Sequence, residues 1–126
     1  MKVASGSPFE ASIGFSRAVR VGPMIAVAGT APLVDGKTAH VGDVYAQTKV
    51  CLAIVLRALA DAGASATDVI RTRVYLRDPA TWREAGRAHG EVFADIRPAC
   101  TFVGATFIDP DWLVEVEADA FVRLQP

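Results

Sequence analysis

Between residues 44 and 59 the chain repeats on a helical period. Val44, Thr48, Cys51, Leu52, Val55 and Leu59 recur at helical spacing and share one face. Asp43 precedes the run as an N-cap and Gly63 follows it as a left-handed stop, so the spacing predicts a helix between them. After residue 69 the period becomes two. Val69, Arg71, Arg73, Tyr75 and Arg77 point one way and Ile70, Thr72, Val74 and Leu76 the other, which predicts a strand over 69–77. Asp78 and Pro79 then open a second amphipathic helix, with Trp82, Ala85, His89 and Phe93 along one stripe.

The flanking segments read as strands. Residues 13–20 and 24–28 form a hairpin about Val21-Gly22-Pro23, after which Gly29-Thr30-Ala31-Pro32 leaves the strand and Asp35-Gly36 makes a turn. Pro98 ends the linker after the second helix. Residues 100–106 and 113–123 are two further strands, separated by Asp109-Pro110-Asp111. The order predicts an α+β sandwich, a mixed sheet with both helices on one face. In the last strand Val114, Val116, Ala118 and Ala120 share the face that should meet the helices, and Glu115, Glu117 and Asp119 share the other. If the arginine strand is its neighbour, the acidic row and the Arg71/Arg73/Arg77 row become cross-strand partners, for which a structural ion-pair ladder is the favoured reading.

At 126 residues the chain fits one domain, 1–126, and a hydrophobic content of 52% suits a chain that hides surface in an oligomer. A net charge of -1, with 13 scattered basic residues, gives no field for nucleic acid or anionic membranes. The N-terminus lacks a signal-peptide core and no apolar run approaches a bilayer span, which predicts a cytoplasmic protein. Cys51 and Cys100 have no Cys-x-x-Cys spacing, and Cys51 reads as core filler. There is no phosphate loop, dinucleotide fingerprint, nucleophile elbow or metal-binding helix pattern. Only His40 and His89 supply imidazoles; His89 lies on the apolar stripe, where packing is favoured over general-base chemistry, and two unspaced histidines make no metal shell.

Ile13-Gly14-Phe15-Ser16, Met24-Ile25-Ala26-Val27-Ala28-Gly29-Thr30, Val74-Tyr75-Leu76-Arg77-Asp78, Pro98-Ala99 and Glu115-Val116-Glu117-Ala118 occur in this order across nearly the whole chain. In combination they resemble the YjgF/RidA-like reactive-intermediate deaminases. The resemblance implies a chorismate-mutase-like mixed sheet of about six strands, a homotrimer with a central barrel, and pockets at the subunit interfaces. It further implies hydrolytic deamination of small enamine/imine intermediates by water, with no cofactor and no metal. Glu115 takes the position of the residue that positions or activates water. Phe15 or Ser16, Ala28 and Gly29 fall at the pocket. Cys100 stands where deaminase-active relatives carry an arginine that holds the substrate carboxylate, and Ala28 replaces a serine.

A charge-assisted hydrogen bond contributes about 1.5–3 kcal/mol, so loss of that arginine weakens the grip on an imino acid. Arg17, Arg71 or Arg73 reaches the pocket instead, or the substrate has no carboxylate, or the protein binds ligands without deaminase chemistry. Cys100 is read as filling space rather than as a nucleophile, because enclosed thiols are usually inert. A non-catalytic small-molecule-binding or chaperone-like trimer is the alternative to the deaminase. An endoribonuclease or translation inhibitor comes third, disfavoured by the balanced charge.

Overall fold

In the computed structural model, which describes residues 1–123, the 44–59 period becomes helix α1 (Val44–Asp61). The Asp43 carboxylate accepts from the Ala46 N–H at 3.0 Å, and the chain leaves the helix through Gly63 at φ +86°. The last three residues of the expected 1–126 domain lie outside the described residues. Helix α2 (Trp82–Phe93) follows a 3-10 turn, Pro79–Thr81, and Asp78 caps that turn rather than the helix itself. Ala85 and Phe93 are buried as the stripe required, whereas Trp82 is 47% exposed at the first helical position, where Arg83 stacks on it.

The strands are β1 (Lys2–Val3), β2 (Ala18–Val21), β3 (Met24–Thr30), β4 (Leu33–Val34), β5 (Lys37–Thr38), β6 (Val69–Leu76), β7 (Ala99–Gly104) and β8 (Val114–Phe121). Six of them form one sheet in the order β1-β2-β3-β8-β6-β7, and β4 and β5 form a separate hairpin. Asp35 and Gly36 both take positive φ at its turn, as a tight hairpin requires. The sheet is antiparallel except for β6 and β7, whose parallel pairing uses α2 as its crossover. Ile25, Val27, Val74, Val116, Ala118 and Ala120 bury one sheet face with Leu52, Val55 and Leu59 of α1, so the charged face of β8 points away from the core cluster. The α+β architecture, with two main helices on a mixed six-stranded sheet, is as read from the sequence.

Four local expectations are corrected. Residues 13–17 are not strand, because residues Glu10–Gly14 form a π-helical turn closed by the Phe15 N–H donating to Glu10 O at 3.0 Å. The Glu10 carboxylate reaches back to the N–H groups of Ser5 and Ser7 and to the Ser5 hydroxyl, which holds that turn. Strand β3 runs two residues past 28, through a register break between Val27 and Thr30. A second break between Val69 and Arg71 rotates the start of β6, so Val69 is buried and Ile70 is 46% exposed, the reverse of strict alternation. Arg77 lies beyond the end of β6 and donates to Asp109 O (2.7 Å) and Trp112 O (2.9 Å), so it does not join the arginine row.

Candidate functional site

On the face of the sheet away from the helices, β6 and β8 pair Arg71 with Asp119, Arg73 with Glu117 and Tyr75 with Glu115. Arg73 Nη1 lies 3.4 Å from both Glu117 Oε1 and Asp119 Oδ2, and the Tyr75 hydroxyl donates to Glu117 Oε1 at 2.6 Å. That hydrogen bond, before burial, raises the Tyr75 pKa above its ordinary value. Glu117 and Asp119 therefore have fixed partners within the chain. The Glu115 carboxyl makes no hydrogen bond to any described residue; it is half-buried, and burial raises its pKa above the ordinary carboxylate value. Arg17 opposes that rise and Glu117 adds to it.

Arg17 enters the site from the segment between the π-helical turn and β2. Its Nη1 donates to Gly29 O (2.7 Å) and Thr30 Oγ1 (3.0 Å), with Ala28 O at 3.5 Å, and its guanidinium carbon lies 5.6 Å from the centre of the Phe15 ring. Burial lowers the Arg17 pKa, while Glu10 and Glu115 oppose the change. A Cβ built on Gly29 would sit 3.9 Å from Glu115 Oε1, so the β3 backbone passes directly beside that carboxyl. Phe15, Ser16 and Ala28 border a cleft of about 730 Å³ that Arg73, Glu117 and Asp119 close from the sheet, a size that admits a small organic ligand. Gly29 and Glu115, like Arg17, do not line that cleft; they adjoin it past Ala28, so the sequence-selected positions fall in two neighbouring groups, Phe15, Ser16 and Ala28 in the cleft and Gly29 with Glu115 beside it.

Cys100 does not join them within one chain. It lies exposed on the edge strand β7, paired with Thr72 and so on the helix side of the sheet, whereas Glu115 pairs with Tyr75 on the other side. The enclosed thiol is Cys51 instead, which is buried in the core and whose pKa burial pushes up. His89 is packed against Phe93 and Phe102, with Nε2 2.8 Å from Thr72 Oγ1 and its pKa lowered by burial. His40 is exposed at φ +48°, and its carbonyl accepts from Asp43 N–H. Among the described residues no three His, Cys, Asp or Glu side chains are grouped to hold a metal ion, and no helix is long and apolar enough to cross a membrane.

Sequence reasoning missed Tyr75 as the partner of Glu117 and Thr30 as the second anchor of Arg17. Tyr75 shared a face with Arg71 and Arg73, which was a usable signal; the Thr30 contact depends on the break in β3 and left none.

A mixed six-stranded sheet backed by two helices, with a half-buried carboxyl beside a glycine edge on its free face, defines a class of small α+β proteins built around a sheet-face cleft. The chain belongs to the family described as Endoribonuclease L-PSP, the YjgF/RidA-like family of its motifs, whose model matches residues 6–122. The crystal structure of a YjgF/YER057c/UK114 family member from Mycobacterium tuberculosis matches with a TM-score of 0.88 at 46% identity, covering 97% of this chain and 98% of that one. An uncharacterized protein of Streptomyces coelicolor is 43% identical over 121 residues, 95% of this chain and 90% of its own. The 3-aminoacrylate deaminase RutC of Acinetobacter baylyi is 33% identical over 106 residues, 83% of this chain and 84% of its own.

Proposed function

We propose that the chain, folded as one domain, forms a cytoplasmic homotrimer that hydrolyses small reactive enamine/imine intermediates at clefts between subunits. The observation that carries this reading is Glu115: a half-buried carboxyl, its proton affinity raised by desolvation, with no hydrogen-bond partner among the described residues and with Gly29 leaving space beside it. Such a group is suited to take and return a proton. An enamine first gains a proton on carbon to become the iminium ion. Water then attacks the iminium carbon, a C–O bond forms, and Glu115 takes a water proton while the C=N electron pair moves to nitrogen, giving a neutral carbinolamine. Glu115 returns its proton to that nitrogen, the C–N bond breaks as the hydroxyl oxygen forms the C=O bond and releases its proton to solvent, and a carbonyl compound and ammonia leave. Phe15 or Ser16 and the Ala28-Gly29 backbone bound the substrate, and Cys100 of a neighbouring subunit lines the cleft. No step calls on a cofactor or metal. The deaminase named among the relatives supports the same chemistry.

Cys100 in place of an arginine favours a second reading, a non-catalytic small-molecule-binding trimer. The net charge of -1 weighs against the ribonuclease activity that the family description names. The test generates 2-aminoacrylate and longer imines in place with a dehydratase or an amino-acid oxidase and follows ketoacid release. The protein accelerates release above background, and Glu115→Gln lowers that rate by about 10²–10⁴-fold with assembly intact. Full activity in Glu115→Gln removes the assignment, and silence on every substrate transfers it to the binding reading.

A further inference from the structure

Arg17 is anchored on one side only. Nη1 spends its two N–H groups on Gly29 O and Thr30 Oγ1, while Nε and Nη2 donate to no acceptor among the described residues. Those two nitrogens form one edge of the guanidinium, the edge whose parallel N–H groups match the two oxygens of a carboxylate. The group is half-buried and has the Phe15 ring on one side. Its nearest acidic neighbours, Glu10 and Glu115, influence it through space without hydrogen-bonding to it. The other arginines offered by the sequence are less suited. Arg73 is committed to Glu117 and Asp119, and Arg77 to two carbonyls outside the face. Arg71 lies farther along β6, opposite Asp119 and four residues from the partner of Glu115.

We propose that Arg17 is the anion clamp of this chain: its Nε/Nη2 edge holds the carboxylate of a small 2-imino or 2-keto acid beside Glu115, the task that the family pattern gives to the position of Cys100. The anchored Nη1 fixes the orientation of the fork before ligand arrives, so little side-chain freedom is lost on binding. The imino part rests on the deaminase reading; the carboxylate part stands without it.

Calorimetric titration with 2-oxobutanoate and with 2-oxobutanamide, the same skeleton without the charge, tests the clamp. Wild type binds the acid about 10- to 100-fold more tightly than the amide, and Arg17→Gln brings the two within about twofold of each other. Arg17→Lys keeps a charge but not the fork and retains part of the preference. A merely structural arginine would weaken both ligands together and leave their ratio unchanged. The ligand pair reads on wild type alone, so a variant that fails to fold does not remove the test. Equal binding of acid and amide by wild type, no binding of either, or an undiminished preference in Arg17→Gln each overturns the proposal. Preference for the acid in a protein without turnover keeps the clamp and removes the deaminase reading, whereas turnover without that preference does the reverse.

Discussion

Because desolvation raises the pKa of Glu115, the carboxyl stays protonated to higher pH than an ordinary glutamate, whose value is about 4.3. In the proposed hydrolysis a protonated Glu115 cannot accept the water proton, so the rate is expected to fall as pH falls through its pKa, and a pH profile of kcat/KM should place the acid limb above that ordinary value. Stability runs the opposite way: a raised folded-state pKa contributes stability below the unfolded pKa and loses it as pH rises through the folded one. Glu115→Gln therefore melts higher than wild type at pH 7 and loses that advantage toward pH 4, which thermal scans across the range will read. The Cys100 thiol lies exposed on an edge strand with no described hydrogen-bond partner, so Cys100→Ser should change any imine-hydrolysis rate little, whereas loss of activity would make the thiol a participant.

At the scale of elements, what could be read beforehand was what depends on residues near in sequence. The α1 period, its Asp43 cap and the alternation of β8 are local patterns, and each formed as its spacing required. The π-helical turn at 10–14 was hidden because it depends on Glu10 bonding back across Pro8 to Ser5 and Ser7, where no hydrophobic period exists to report it. The misplaced Ile70 has a similar origin, since a register break belongs to the pairing of two strands and not to either sequence alone. Of the candidate site, Glu115 and the Ala28-Gly29 edge were proposed from the family motifs and Gly29 lies beside Glu115, but the approach of Arg17 to Glu115 needed the strand order β2-β3-β8. At φ +86°, with a Cβ only 2.9 Å from the Arg20 Nη1 that donates to Ala62 O, Gly63→Ala strains the exit of α1 and displaces that bond. Urea unfolding of Gly63→Ala should show a loss of about 1–2 kcal/mol.

For the whole molecule, the separation of Cys100 from Glu115 is the decisive geometry. They lie on opposite faces of one sheet, so a cleft containing both needs a second copy of the chain. Val19, Val21, Met24 and Phe121 stand exposed near one end of β2, β3 and β8, apolar surface that assembly could cover. Light scattering at micromolar concentration should give a particle near three times 13.3 kDa. A monomer would detach Cys100 from the site and leave Arg17, Gly29 and Glu115 as the remaining constellation.

The break in β3 leaves Ala28 and Gly29 without register partners on β8, so the edge facing Glu115 is peptide rather than side chain. An alanine scan, which replaces only what lies beyond Cα, reaches that wall at Gly29 alone, where it adds a Cβ 3.9 Å from Glu115 Oε1. If the proposed site holds, libraries that randomise side chains are expected to retune ligand preference through Phe15, Arg17 and position 100, while the main-chain wall persists beneath each variant as a fixed feature of the scaffold.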